Sequence, residues 1–471
     1  MAASQPRFEP HPQGALDGRS PPAPISHPHR RVMPTIESLA DVLNNSAKTP
    51  VLDLPSLKEP LETVVVEEVD SEDCPDGGLR AWLVVLGVVC GMCATVGLLT
   101  AWGTFQAYYQ EVKLPHQTSS DIAWIGSIQN AMLFAPGLLF GRLFDMGHLR
   151  LPVFVASALF VACVFLTAQC TQYWHFLLCQ GFGMGLASGV FFNMGNMVMA
   201  HWFKRRLGLA ISCSFGGAGV GGCIFPIIVR ALLHRVSFQW TMRILGFMAL
   251  GLLLVSNLTI ARRLPGTQDL GPLINIAEFK KPAYSFYVAS LVVNTLALFN
   301  VFTYLTVSAV GAGLNADLSF YLLAIANAIS TLGRVASGLL ADRFGPLNVL
   351  IPATLLTALV TFTWPFATNV ASFVVISVFL GISTGATLAL LVQPFARMGP
   401  VPEVGLRIGM GLTVVAIGVI TGSPMSGAIL DGTGSFKDVG YAGGSTLLLS
   451  AALMAASRHC LIRTGGAGGS D

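Results

Sequence analysis

A chain of 471 residues in which 53% are apolar and only 11% are charged lies outside the range of soluble globular proteins, where about a quarter of residues carry charge. A single core stops growing near about 250–300 residues, so the excess apolar surface must face lipid. The formal net charge of +3, with no basic run interleaved with aromatics, argues against a nucleic-acid partner.

Residues 1–78 are predicted to be a disordered cytoplasmic tail. Up to residue 73 they are rich in Pro, His, Ser and acidic side chains, with too little apolar content to offset the entropy of ordering. They also lack the apolar stretch of a secretion signal. Asp76-Gly77-Gly78 then reads as a capped turn before the first apolar run.

A bilayer core about 30 Å thick needs about 20 apolar residues, and backbone groups in lipid must bond within their own segment, so these runs are helices. Six are predicted near 83–105, 122–141, 151–169, 173–199, 207–232 and 240–261. Six more follow near 284–308, 318–341, 347–366, 371–394, 406–429 and 441–460. The run Gly181–Gly189 (GFGMGLASG) superficially suggests a nucleotide loop, but it lies inside the fourth span and follows no strand. Cys90, Cys93, Cys163, Cys179, Cys213 and Cys223 all sit in apolar runs and read as small packing residues, so neither a disulfide framework nor a metal site is expected.

Loop charges orient the helices. Arg142, Arg150, Lys204-Arg205-Arg206, Arg262-Arg263, Lys280-Lys281, Arg343, Arg397 and Arg407 fall on one side, as do Arg458 and Arg463 after the last span. Only Lys113, Arg230, Arg235 and Lys437 fall on the other. Cytoplasmic loops carry the excess of Lys and Arg, so both termini are expected inside and the number of spans even.

The second half of the membrane part repeats the first at an offset of about 200. Gly141-Arg142-Leu143-Phe144-Asp145 after the second span answers Gly338-Leu339-Leu340-Ala341-Asp342-Arg343-Phe344-Gly345 after the eighth. Gly181 and Gly185 answer Gly381 and Gly385, and Pro226 answers Pro424. Two parallel six-helix bundles that rock about a midplane site make an alternating-access transporter. The predicted division is a bundle over 79–263, a central cytoplasmic loop over 264–283, a second bundle over 284–464 and a short disordered tail over 465–471.

The GLLADRFG stretch (Gly338–Gly345) resembles the motif of the major facilitator superfamily. The resemblance implies an all-α membrane protein of that fold, with about 12 transmembrane helices in two pseudo-symmetric six-helix bundles. It also implies that Asp342 and Arg343 act with Gly338 as a latch on the inward gate. In the first half only Gly141 and Asp145 match, and Met146 replaces the arginine, which implies a weaker latch there. Without the resemblance, a charge at a helix end is simply a partner for the helix dipole.

Within the superfamily, Asp76-Gly77-Gly78-Leu79-Arg80-Ala81-Trp82 is similar to the entry motif of the monocarboxylate porter family, with one extra residue before the Trp. His201–Ala210 (HWFKRRLGLA), with the glycines up to Pro226, is similar to that family's motif before the fifth span; Ser212 stands where a Gly is usual. The flavour is that of the fungal branch.

Charge within a span is costly and marks function by default. Arg334, near the middle of the eighth span, is the candidate; it also stands where the porters place an arginine that pairs with a substrate carboxylate, a geometry its planar fork suits. The alternative is an arginine bonded to neighbouring helix carbonyls. Asn327 and Ser330 on the same helix, Asn193 and Asn196 on the fourth, and Asn130 and Asn300 are further substrate-binding candidates. Trp102, Tyr108, Phe299 and Tyr304 are candidates to shape a cavity, or to sit at the lipid interface.

Two departures loosen the substrate. Ser330 replaces the acidic residue that the porters carry one turn before the arginine, and the first span has no lysine. Proton coupling is therefore left open. The reading that follows is secondary active or facilitative transport of a small organic anion or amphipathic metabolite, with secondary-metabolite export within range and no cofactor. The alternative is a transporter-fold nutrient sensor. An intramembrane enzyme would need clustered acid, base or metal-ligating residues, and an ATP-driven pump a Walker motif; the sequence has neither. The expected location is the plasma membrane, with the vacuolar membrane as the alternative.

Overall fold

The computed structural model describes residues 76–266, 274–298, 300–399 and 401–466. The predicted tail up to residue 75, part of the central loop, Phe299 and residues 467–471 lie outside the described residues.

Among the described residues, twelve helices are long and apolar enough to span a bilayer. They are α1 (Leu79–Lys113), α2 (Ser120–Asp145), α3 (Arg150–Thr167), α4 (Tyr173–Trp202), α5 (Leu207–Leu233) and α6 (Phe238–Thr259). After them come α7 (Pro282–Gly311), α8 (Tyr321–Phe344), α9 (Pro346–Phe366), α10 (Val370–Arg397), α11 (Val404–Thr433) and α12 (Phe436–Arg463). Large apolar side chains such as Leu151, Phe154, Phe247, Leu258, Leu332 and Leu359 stand exposed on the outside, an arrangement stable only against lipid. The chain is therefore a multi-pass membrane protein.

Several spans are less regular than their hydropathy predicts, α1 and α4 among them. The first span continues to Lys113, well past the expected end near 105, but as a broken rod. Thr95 Oγ1 donates to the Gly91 carbonyl at 2.7 Å and Thr100 Oγ1 to the Gly97 carbonyl at 2.6 Å. Such back-bonding competes with the main-chain ladder and bends a helix. In α4 the stretch Leu177–Met184 is wound as a π-helix, so the glycine-rich run is helical and forms no phosphate loop.

Helix pairing follows one scheme, used twice. In the first six, α1 packs on α5 and α6, α2 on α4, and α3 on α4 and α6. Advancing each number by six reproduces the main pairings of the rest: α7 on α11 and α12, α8 on α10, α9 on α10 and α12. The two sets meet through two extensive crossings, α2 with α11 and α5 with α8. Glycines set their closeness. A Cβ on Gly141 would run into the Gly405 carbonyl, and one on Gly338 into Ser212 Oγ and, at 2.6 Å, the Gly208 carbonyl. With no hydrophobic drive between helices in lipid, such backbone approach is how they gain contact.

Candidate functional site

The two crossings end in the same device. Asp145, at the C-terminus of α2, accepts hydrogen bonds from the Gly405 N–H at 3.0 Å and the Leu406 N–H at 2.7 Å, in the first turn of α11. Asp342, near the C-terminus of α8, accepts from the Gly208 N–H at 2.6 Å and the Leu209 N–H at 2.8 Å, in the first turn of α5. The two aspartates are 197 positions apart (342 minus 145), as are the two glycines they hold (405 minus 208). Each carboxylate satisfies two orphan donors and meets the positive end of a helix, from the other half of the chain.

The cations beside these carboxylates are not the ones the motif suggests. Arg397, at the end of α10, lies 3.6 Å from Asp342, whereas Arg343 is exposed and makes no ion pair among the described residues. Adjacent residues on a helix point about 100° apart, so residue 343 cannot face the carboxylate that its neighbour aims at α5. At the other crossing, the absence of an arginine at 146 is made good in space. Arg262, just past α6, places its guanidinium 4.9 Å from the Phe144 ring centroid and donates to the Phe144 carbonyl and, at 3.5 Å, to that of Asp145. Burial holds the Arg262 pKa below its ordinary value, and the Asp145 charge opposes that shift.

Asp76 does not cap its own helix. Its Oδ1 accepts from the N–H groups of Lys204 at 2.6 Å and Arg205 at 2.7 Å, in the loop leading into α5. The entry turn holds Asp76 and Gly78 at positive φ, 42° and 88°. The stretch from 204 to 209 thus receives two carboxylates, one from the start of α1 and one from α8.

Further along the α5–α8 crossing lies Arg334, 7% exposed, its Nη1 donating to the Phe215 carbonyl of α5 at 2.7 Å. Its Nε is buried with no acceptor among the described residues. The room for it comes from Gly219, where a Cβ would approach Nη1 to 3.0 Å. Thr331 and Ser330 sit beside it on α8, and the Ser330 backbone meets Gly385 of α10. Asn327 is part-buried two turns away.

Of the other polar candidates, Asn193 and Asn300 tie helices together, while Asn196 and Asn130 bond within their own helix. Asn193 donates to Leu133 O of α2 at 3.0 Å and to Gly189 O at 2.8 Å, and Asn196 donates to Phe192 O at 2.5 Å. Both are buried, and each Oδ1 lacks a donor among the described residues. Asn300 accepts from Ser426 of α11 at 2.7 Å; exposed Asn130 bonds back to Gly126 O at 3.1 Å. Among the aromatics, Tyr108 stacks on Phe238, and Tyr304 on buried Trp364. Trp102 meets Tyr109 edge-on.

Three further groups stand at the crossings. Thr413 of α11 bridges to α2, accepting from Leu138 N–H at 2.9 Å and donating to Ala135 O at 3.0 Å. Gln393 of α10 donates to Gly208 O at 3.2 Å. Arg407, counted with the loop charges although it falls at the edge of the predicted span 406–429, is 1% exposed within α11, with its Nε on Phe395 O at 3.1 Å. The 197-residue offset, applied to Gly208, would have pointed to the entrance of α11; neither hydropathy nor charge pattern points to Arg407. No group of three or more His, Cys, Asp or Glu residues able to hold a metal occurs among the described residues.

The sequence matches the model of the Major Facilitator Superfamily over residues 84–368. It is 35% identical to the aspyridones efflux protein of Emericella nidulans, an alignment covering 79% of this chain and 76% of that one. It is 33% identical to an MFS transporter of Aspergillus flavus, over 83% and 90% of the two chains. Among solved structures, the human organic anion transporter TETRAN superposes with a TM-score of 0.63 at 12% identity, covering 80% of this chain and 98% of that one.

Proposed function

This chain belongs to the Major Facilitator Superfamily of transporters, and from that premise we propose that it exports a small organic anion or amphipathic secondary metabolite by alternating access. The observation that carries the reading is the doubled latch with a buried arginine along one of its two crossings. Each aspartate ties its half to the other by two backbone bonds, and both pairs are to be released when the halves rock. Arg334 lies where that release would expose it. Its Nε, without an acceptor among the described residues, is a donor for a substrate carboxylate, and its bond to Phe215 O holds the guanidinium in place. Asn327 and Ser330 on α8, with Asn193, Asn196, Asn130 and Asn300, are the further polar groups assigned to the pathway.

In this reading the bundles are 79–263 and 284–464, and residues 264–283 link them on the cytoplasmic side with both termini. The latched end then faces the cytoplasm, a placement supported by the excess of Lys and Arg in its loops. Export is supported by the likeness to the aspyridones efflux protein. The fungal branch of the monocarboxylate porters is supported by the entry motif, whose Asp76 holds the α4–α5 loop.

The test is uptake and efflux profiling of carboxylate-bearing metabolites in cells, comparing wild type with Arg334→Ala at several external pH values. A correctly inserted Arg334→Ala protein is expected to lose carboxylate transport at least about 10-fold, the loss of one charge-assisted contact. Undiminished transport would remove Arg334 from the pathway.

A further inference from the structure

Each half of the membrane part has a cleft at its latched end, between the start of its third helix and the end of its sixth. In the first half it is lined by Arg150, Val153 and Phe154 of α3 and by Leu258 and Ile260 at the end of α6. In the second half the walls are Leu347 of α9, Pro394 of α10, and Leu461 and Ile462 of α12, and two arginines enter the cleft, Arg397 and Arg458.

We propose that the α9–α10–α12 cleft is a binding site for an anionic phospholipid, whose phosphate is held between Arg397 and Arg458 while its acyl chains lie along Leu347, Leu461 and Ile462. Depth, charge and shape agree on this occupant. The cleft lies where four spans end or begin: α8 ends at Phe344, α9 begins at Pro346, α10 ends at Arg397 and α12 at Arg463. That is the level of the headgroups, and Ile462 is exposed there on the outer face. Apolar walls below two cations are of little use to a free inorganic anion, which would leave them wet. They fit a molecule with a charged head and a hydrocarbon body.

The two arginines are available for such a ligand. Arg458 gives its Nε to the side chain of Asn348, which aims the guanidinium and leaves its terminal nitrogens without a hydrogen bond among the described residues. The side chain of Arg397 is 37% exposed and lies on Asp342 at 3.6 Å, beyond hydrogen-bond length. The cleft also borders the first turn of α9, whose N-cap, Gly345, offers no side-chain acceptor, so that turn adds favourable potential for a phosphate. Arg397 is thus shared by the cleft and the α5–α8 latch, and a phospholipid bound here touches the gate directly. The sibling cleft has one arginine, Arg150, which makes no ion pair to a latch carboxylate among the described residues.

The test uses the full-length protein in nanodiscs of phosphatidylcholine alone or with phosphatidylserine. Phosphatidylserine is expected to raise the midpoint of thermal unfolding, and native mass spectrometry to show it retained. Arg458→Gln should lose at least half of both effects, Arg458→Lys should keep most of them, and Leu461→Trp, which fills the cleft without changing charge, should behave like Arg458→Gln. The proposal is overturned if Arg458→Gln and Leu461→Trp, each monodisperse, both keep the wild-type gain. It is equally overturned if inorganic phosphate reproduces the gain in phosphatidylcholine, or if Arg150→Gln alone abolishes it.

Discussion

The crossing of α2 with α11 and that of α5 with α8 share one plan at their ends and depart from it further in. Both end in an aspartate on two backbone N–H groups of the facing helix. Two turns or more inward, α2 has Gly137 where α8 has Arg334, again 197 positions apart (334 minus 137). Gly137 lets α11 come close enough that a Cβ there would sit 3.0 Å from the Gly409 carbonyl, and Thr413 bridges the gap with two hydrogen bonds. Arg334 instead reaches across to Phe215 O, with space provided by Gly219 on the facing helix. A duplicated scaffold has thus kept one crossing as a tight seam and placed a charge in the other. The cations differ as well: Arg262 binds carbonyls at the end of α2, while Arg397 makes one long ion pair.

The sharpest way to break the comparison is to neutralise each latch in turn. Asp145, 2% exposed, is the more enclosed of the two carboxylates, with a part-buried arginine beside it. Hydrogen bonds to a charged group are worth about 1.5–3 kcal/mol and a stranded buried charge costs more, so Asp145→Asn should weaken the α2–α11 latch by about 3 kcal/mol. Amide exchange over 404–408 is expected to quicken roughly 100-fold. Asp342→Asn should act at 207–211 and by less, because Asp342 is partly solvated and Asp76 still holds the preceding loop. Equal effects at the two sites would mean that enclosure does not separate them.

A smaller change is expected at the glycine seams. Gly141→Ala puts a methyl into the Gly405 carbonyl and Gly338→Ala puts one into the Gly208 carbonyl. Neither backbone can give way as a flexible side chain would, so each should cost about 1–3 kcal/mol, seen as a lower midpoint in thermal unfolding of the detergent-solubilised protein. Unchanged midpoints would show that the crossings are looser than their geometry.

The smallest expected effect is at Arg397. A partly exposed pair at 3.6 Å contributes about 0–1 kcal/mol and is screened by salt. In phosphatidylcholine, Arg397→Gln should quicken exchange at 207–211 by less than about 5-fold, with the difference vanishing at 1 M salt. Arg262→Gln should exceed it and persist in salt, since it removes carbonyl bonds from a half-buried site. Arg343→Gln should leave exchange unchanged.

Much of this was legible from residues alone. The twelve spans, the offset between halves and the Gly–Asp positions at the ends of α2 and α8 follow from local composition and repetition. Lipid demands a continuous apolar helix, and that demand is written in consecutive residues. The partners were not legible. Met146 after Asp145 suggested a weakened latch, yet Arg262 stands beside that carboxylate from 117 residues away (262 minus 145). Arg407 read as a loop cation and is buried, while Asp76 read as a cap for its own helix and holds another loop. Each of these depends on which helix ends meet, and periodicity carries no information about the angle or register of a crossing. Hydrophobicity along the chain therefore determined how many helices there are and where they turn back. Only the tertiary structure decided which charge faces which helix end, because in lipid that choice is made by backbone contact between glycines and by dipoles that exist only once the helices are formed and side by side.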